Sequence, residues 1–213
     1  MSVQAKICGV STPEAVRAAL DGGAGYLGFV YFEKSSRHLA LEAARRLAEP
    51  VRNRAKVVAL AVDPSDAVVD AISRELAPDF IQLHGKESPS RVREIAARSG
   101  VGVIKALPVS DASDVDAAGD YDTVADHLMF DARAPKDSPT PGGTGRSIDW
   151  ALLKGRRFRR PWFLAGGLDP WNVAEAVQQS GAPIVDVSSG VERGPGLKDP
   201  ALITAFLDAV RRA

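Results

Sequence analysis

A single cysteine in the whole chain, Cys8, excludes an intramolecular disulfide and a cysteine-rich zinc centre. Three histidines leave little from which to build any other metal cluster. Neither sign of charge is in excess. The 27 Lys and Arg balance the 27 Asp and Glu, for a formal net charge of zero. This argues against nucleic acid as a partner, because phosphate backbones select basic faces. No apolar run reaches the ~18 residues that a membrane span requires. The first ten residues, MSVQAKICGV, lack the long apolar core of a secretory signal. The expectation is therefore a soluble, cytoplasmic chain. What is present is ordinary globular material, 45% apolar and 25% charged over 213 residues. That is enough to bury a core in one large domain.

Short apolar runs alternate with amphipathic segments from end to end. Strands are expected near 3–8, 25–31, 57–62, 79–83, 101–107, 126–131, 161–165 and 184–187. Helices are expected near 13–21, 40–49, 65–75, 88–99, 111–118, 148–154, 170–180 and 199–212. The strand runs are rich in Val, Ile, Leu and Phe, as parallel strands buried on both faces are. Thr12-Pro13, Ser88-Pro89, Asp169-Pro170 and Asp199-Pro200 each set a capping side chain before a proline suited to a first helical turn. The alternation predicts an α/β fold, a single (β/α)8 TIM barrel of eight parallel strands over residues 1–213. An open doubly wound sheet would call for a dinucleotide fingerprint, and none follows the first strand. The stretch 134–146, APKDSPTPGGTGR, reads as a mobile loop after strand six. Trp150, Trp162 and Trp171 are expected to pack in or between helices.

In such a barrel the active site forms where the strands end. The ends bring together Cys8, Arg37, His84, Asp131 and Asp186 by position rather than by proximity in sequence. Gly166-Gly167 and Ser188-Ser189-Gly190 follow the last two strands, the usual phosphate-binding loops of the fold. Glycine lets backbone N–H groups approach an anion closely. Cys8 reads either as a buried small hydrophobe or as a proton acceptor. An unperturbed thiol has a pKa near ~8.5, and the helix start after Cys8 would lower it. Asp131 reads as a cap or as an acid facing Cys8 across the barrel, a pair suited to a proton shift. Arg37, beside Lys34 and His38, reads as a solvated loop residue or as a bidentate carboxylate clamp. His84 reads as structural or substrate-orienting, and Asp63 as a turn or cap.

Taken together, the segments KICGVSTPE (6–14), LGFVYFEKSSRHL (27–39), IQLHGKES (81–88), MFDARAP (129–135), GGTGRSIDW (142–150), FLAGGLDPWNV (163–173) and DVSSGVERGPGLKD (186–199) carry a resemblance. In this order they resemble the phosphoribosylanthranilate isomerase family of tryptophan biosynthesis. The loop after strand two departs from it, with Glu33 where the family usually has proline. The resemblance implies an Amadori rearrangement of N-(5′-phosphoribosyl)anthranilate to 1-(2-carboxyphenylamino)-1-deoxy-D-ribulose 5-phosphate. It implies Cys8 as general base, Asp131 as general acid and Arg37 as the partner of the anthranilate carboxylate. It implies Gly166, Gly167, Ser188, Ser189 and Gly190 as the phosphate site, with His84 and Asp186 lining the pocket. No metal or cofactor is implied. The partner is a small-molecule substrate, not nucleic acid or membrane, and the chain is expected to be a monomer or homodimer. The competing readings are another phosphosugar-processing barrel, such as indole-glycerol-phosphate synthase or an epimerase, and a non-catalytic barrel that binds a phosphoribosyl ligand.

Overall fold

The apolar runs become eight parallel strands, β1 (Gln4–Cys8), β2 (Tyr26–Val30), β3 (Lys56–Ala61), β4 (Phe80–Leu83), β5 (Gly102–Val109), β6 (His127–Ala132), β7 (Trp162–Leu164) and β8 (Ile184–Val187). They close in chain order into a barrel, with β8 pairing back onto β1. The computed structural model describes residues 2–135, 137, 141–143, 145 and 147–213. Lys136, Ser138, Pro139, Thr140, Thr144 and Arg146, all within the stretch expected to be a mobile loop, lie outside the described residues.

The connecting helices are α1 (Pro13–Asp21), α2 (Leu41–Ala48), α3 (Asp66–Ala71), α4 (Pro89–Ser99), α5 (Ala112–Asp116), α6 (Val173–Ser180) and α7 (Pro200–Arg212). Three of the four expected caps form. Thr12, Ser88 and Asp199 accept from the backbone N–H groups of Ala15, Arg91 and Ala201. Asp169 instead closes a turn, accepting from Trp171 and Asn172, so α6 starts only at Val173. The helix expected over 148–154 is a single 3-10 turn, Trp150–Leu153. A hairpin not anticipated from the sequence, β9 (Glu192–Gly194) with β10 (Leu197–Lys198), follows β8. Among the described residues, no helix is long and apolar enough to cross a membrane.

Side chains alternate along each strand, and the two faces join different cores. Ile7, Leu27, Phe29 and Val57 point outward and are buried with Val16, Ile95, Phe206 and Leu207 of the helices. Tyr26, Val58, Ile104, Met129, Phe163 and Ile184 point inward and fill the barrel. Cys8, Val30 and Leu60 form a smaller apolar group towards the strand ends. Of the three tryptophans, Trp162 is buried in β7 and Trp150 is half-buried. Trp171 departs from expectation and stands 78% exposed in the loop before α6.

His127 starts β6 inside this packing, its ring 5.0 Å from Phe80 and 5.6 Å from Phe163. Burial pulls its pKa below the ordinary histidine value, against a smaller upward pull from Asp126. The folded chain thus binds fewer protons here than the unfolded chain. Stability from this site is whole above the unfolded value of about 6.5 and is lost as pH falls from there through the lower folded value. Urea unfolding at about pH 7.5 and about pH 5.5 should show a smaller difference in stability for His127→Leu than for the parent chain. An equal difference would show that His127 does not contribute to the acid lability.

Candidate active site

The carboxyl ends of the strands surround a cleft of about 720 Å³, its open mouth included. Cys8, Arg37, His84, Asp131, Gly166, Gly167, Asp186, Ser188 and Ser189 all line it. Gly190 does not. A Cβ at that position would stand 1.9 Å from the carbonyl oxygen of Leu168, so Gly190 packs the loop after β8 against the loop after β7.

On β1 the alternation sends Ala5 and Ile7 outward to the helices and leaves Lys6 and Cys8 inside the barrel. Lys6 Nζ meets Asp186 Oδ1 at 2.7 Å, from the strand position paired with it on β8. Gly28 of β2 pairs with Cys8. A Cβ there would lie 3.0 Å from Cys8 Sγ and 3.1 Å from Lys6 Nζ. Glycine in a strand interior marks such a close approach, and here it makes room for the thiol and the ammonium together. Burial opposes the Lys6 charge, but Asp186 and Cys8 outweigh it and raise the Lys6 pKa.

Burial pushes the Cys8 thiol up. Lys6 pulls it down, Asp186 pushes it up again, and burial prevails. The lowering expected from the helix after Cys8 is not found. α1 begins only at Pro13, and a helix dipole acts within about a turn of its end.

Asp131 stands near the end of β6, separated from β1 around the barrel by β7 and β8. Its Oδ2 is 3.1 Å from His84 Nε2. The segment that presents His84 is held from below by a buried ion pair, Lys105 Nζ to Glu87 Oε2 at 2.6 Å. Glu87 also accepts from the backbone N–H groups of Asp63 and Gly85, and Lys105 donates to the Gly85 carbonyl at 2.8 Å. Asp63 is the turn residue it was expected to be, with positive φ and a carboxylate that accepts from Lys86 N.

Arg37 is where the sequence placed it but is already partnered. Its Nε and Nη2 grip Glu192 of β9 at 2.8 and 2.9 Å, the bidentate pairing foreseen for a ligand carboxylate. Its Nη1 lies towards Gly143, where a Cβ would come within 2.7 Å. Burial would raise the Glu192 carboxyl, but Arg37 and Lys198 together hold it below its ordinary value. Lys198 also donates to the Ser188 carbonyl at 2.9 Å, and Ser188 Oγ donates to the Cys8 carbonyl at 3.1 Å. This Arg37–Glu192–Lys198–Ser188 chain ties the loop after β2 to the loop after β8 and to Cys8.

The two glycine loops border the same cleft, through Gly166, Gly167, Ser188 and Ser189. Gly166 and Gly167 are consecutive residues at φ +88° and +62°, a backbone that a side chain would strain. Asn172 Nδ2 fixes the turn by donating to the Gly167 carbonyl at 2.8 Å. After β8 the chain makes a short 3-10 turn, Ser189–Val191. Among the described residues, no group of three His, Cys, Asp or Glu side chains is placed to hold a metal ion.

Lys6, Gln82, Glu87, Lys105, Glu192 and Lys198 were not singled out by the sequence reading. For three of them a signal existed. Lys6, Gln82 and Lys105 are polar residues inside otherwise apolar strand runs, and a buried charge in such a run needs a partner.

The chain matches a family model, N-(5′-phosphoribosyl)anthranilate (PRA) isomerase, over residues 5–209. A relative from Caulobacter vibrioides named N-(5′-phosphoribosyl)anthranilate isomerase is 67% identical over 210 residues, 98% of this chain and 96% of the relative. A crystal structure of phosphoribosyl anthranilate isomerase with reduced 1-(o-carboxyphenylamino)-1-deoxyribulose 5-phosphate is similar at a TM-score of 0.85 and 32% identity, covering 99% of this chain and 100% of the other. A structure of monomers made from the dimeric Thermotoga maritima phosphoribosylanthranilate isomerase is similar at a TM-score of 0.84 and 32% identity, with the same coverage.

Proposed function

This chain belongs to the N-(5′-phosphoribosyl)anthranilate isomerase family, the aldose–ketose isomerases of tryptophan biosynthesis, and from that premise we propose that Cys8 and Asp131 move the two protons of the rearrangement. The observation that carries the reading is their placement in one cleft, on strand ends separated by the two glycine loops. The phosphate sits on Gly166, Gly167, Ser188 and Ser189, and the anthranilate ring lies towards the loop after β2. The ribose is then held between the acid and the base. Asp131, protonated, gives its proton to the furanose ring oxygen, and the ring opens to a protonated imine. Cys8, as thiolate, removes the proton from C2′. The cationic imine acidifies that carbon and, once formed beside the thiol, favours the thiolate that burial disfavours. The enolamine that results tautomerises to the ketone. One proton is given and one taken, and no oxidation state of the molecule as a whole changes. We place the reaction in the cytoplasm, on a freely diffusing substrate, with the chain a monomer or homodimer.

Arg37 completes the reading. Glu192 takes the Nε hydrogen and one Nη2 hydrogen, so the anthranilate carboxylate is met from the end of the guanidinium, by Nη1 and the second hydrogen of Nη2. Charge-assisted bonding of this kind contributes about 1.5–3 kcal/mol, so Arg37→Ala should weaken a product analogue roughly ten- to a hundredfold. Calorimetry with an analogue that lacks the ring carboxylate is the control. Equal weakening of both ligands would show that Arg37 does not read the carboxylate.

A further inference from the structure

The polar groups behind Asp131 form a chain whose hydrogens can be placed one after another. It begins at Gln82, on the inner face of β4 and fully buried. Gln82 Nε2 lies 3.1 Å from His84 Nδ1 and 3.3 Å from Met129 Sδ. A thioether has no hydrogen and can only accept, whereas an amide oxygen turned to it would set lone pairs against lone pairs. Met129 therefore settles which end of the amide faces it, without reference to the histidine. The second hydrogen of the same nitrogen is left for His84 Nδ1, which must offer a lone pair. In a neutral imidazole the ring proton is then on Nε2. His84 Nε2 faces Asp131 Oδ2 at 3.1 Å and donates to it. An oxygen already receiving that hydrogen is the poorer place for the acid's own proton. The proton is left for Oδ1, the oxygen bordering Gly166, where a Cβ would come within 3.0 Å.

We infer that Gln82 is a positioning residue for the isomerase reaction, fixing the Nε2–H tautomer of His84 through the Gln82–His84–Asp131 contacts so that the transferable proton of Asp131 sits on Oδ1. This rests on the reading of Asp131 as the general acid. A structural role alone does not account for a glutamine here. Gln82 Oε1 is buried and has no hydrogen-bond partner among the described residues. A buried, unpartnered carbonyl destabilises the fold, and an apolar side chain of similar length would not carry that cost. Gln82→Met should therefore fold with an unchanged or raised Tm and still lose rate.

The test combines a spectrum with kinetics on the full chain. With only three histidines, 15N-labelled imidazole signals can be assigned by single substitutions. At about pH 8, where an ordinary imidazole is neutral, His84 should show a proton-bearing Nε2 and a bare Nδ1. Gln82→Glu, whose carboxylate only accepts, should move the proton to Nδ1. Gln82→Met should lower kcat about ten- to a hundredfold with KM changed less than about threefold. In a His84→Ala background the same change should cost nothing more, because Gln82 acts through the histidine. A wild-type His84 protonated on Nδ1 overturns the inference. So does a loss carried mainly in KM, or one that persists undiminished without His84. Failure of the acid reading looks different: Asp131→Asn would then keep its kcat while the His84 spectrum stood as described.

Discussion

Cys8→Ser lowers kcat by about 10²–10⁴-fold or more, the loss that accompanies removal of a general base, while affinity for a product analogue stays within about threefold. The serine keeps the size of the side chain and the packing against Val30 and Leu60. It loses the acidity, since a hydroxyl ionises far less readily than a thiol. The geometry also predicts the pH dependence. Burial raises the thiol pKa, more than Lys6 lowers it. A raised pKa means that the proton is held to higher pH, so the thiolate of the free chain forms late. The reaction needs the thiolate and the protonated acid together, one proton shared between the two groups, so kcat/KM should fall on its basic side only where that proton leaves Cys8, beyond the ~8.5 of an ordinary thiol. Lys6→Met removes the pull downward and should move that limb further up. Cys8→Ser with more than half the wild-type turnover would remove Cys8 from the reaction.

Asp131→Asn produces a loss in kcat of similar size, about 10²–10⁴-fold, with little change in KM. The amide oxygen can still accept from His84 Nε2, so the arrangement at 3.1 Å survives the change. What is lost is the proton for the ring oxygen. Were the effect confined to KM, Asp131 would hold the substrate and a different group would open the ring.

The barrel was legible because its signal is local. Each strand is a short apolar run and each helix an amphipathic one, and the caps at Thr12, Ser88 and Asp199 mark helix starts within four residues of chain. Once the strand ends are read from the sequence, the barrel rule puts Cys8, His84, Asp131 and Asp186 in one cleft, where the structure has them. The misses share a physical cause. Arg37 and Glu192 lie 155 residues apart, and nothing within either segment announces the other. Lys105 and Glu87, 18 residues apart, meet only when β5 lies beside the loop after β4. The thiol of Cys8 was expected to be lowered by a helix that begins too far away, and the burial that raises it is a property of the closed barrel. The helix expected over 148–154 is cut to one turn, ended by extended backbone at Lys154 and by Gly155 at φ +72°. Residue type alone suggests that Trp171 packs in or between helices, and the Asp169 turn carries it outside.

The most direct test of the division of labour between Cys8 and Asp131 is the deuterium isotope effect on turnover of phosphoribosylanthranilate labelled at ribose C2′. Bond breaking at C2′ belongs to the base, and ring opening belongs to the acid. Crippling the base should make C2′–H cleavage fully rate-limiting, so the isotope effect in Cys8→Ser should be larger than in the wild type and well above unity. Crippling the acid should make ring opening rate-limiting, so in Asp131→Asn the effect should shrink towards unity. An isotope effect of unity in Cys8→Ser, or one that grows in Asp131→Asn, would contradict the assignment of base and acid.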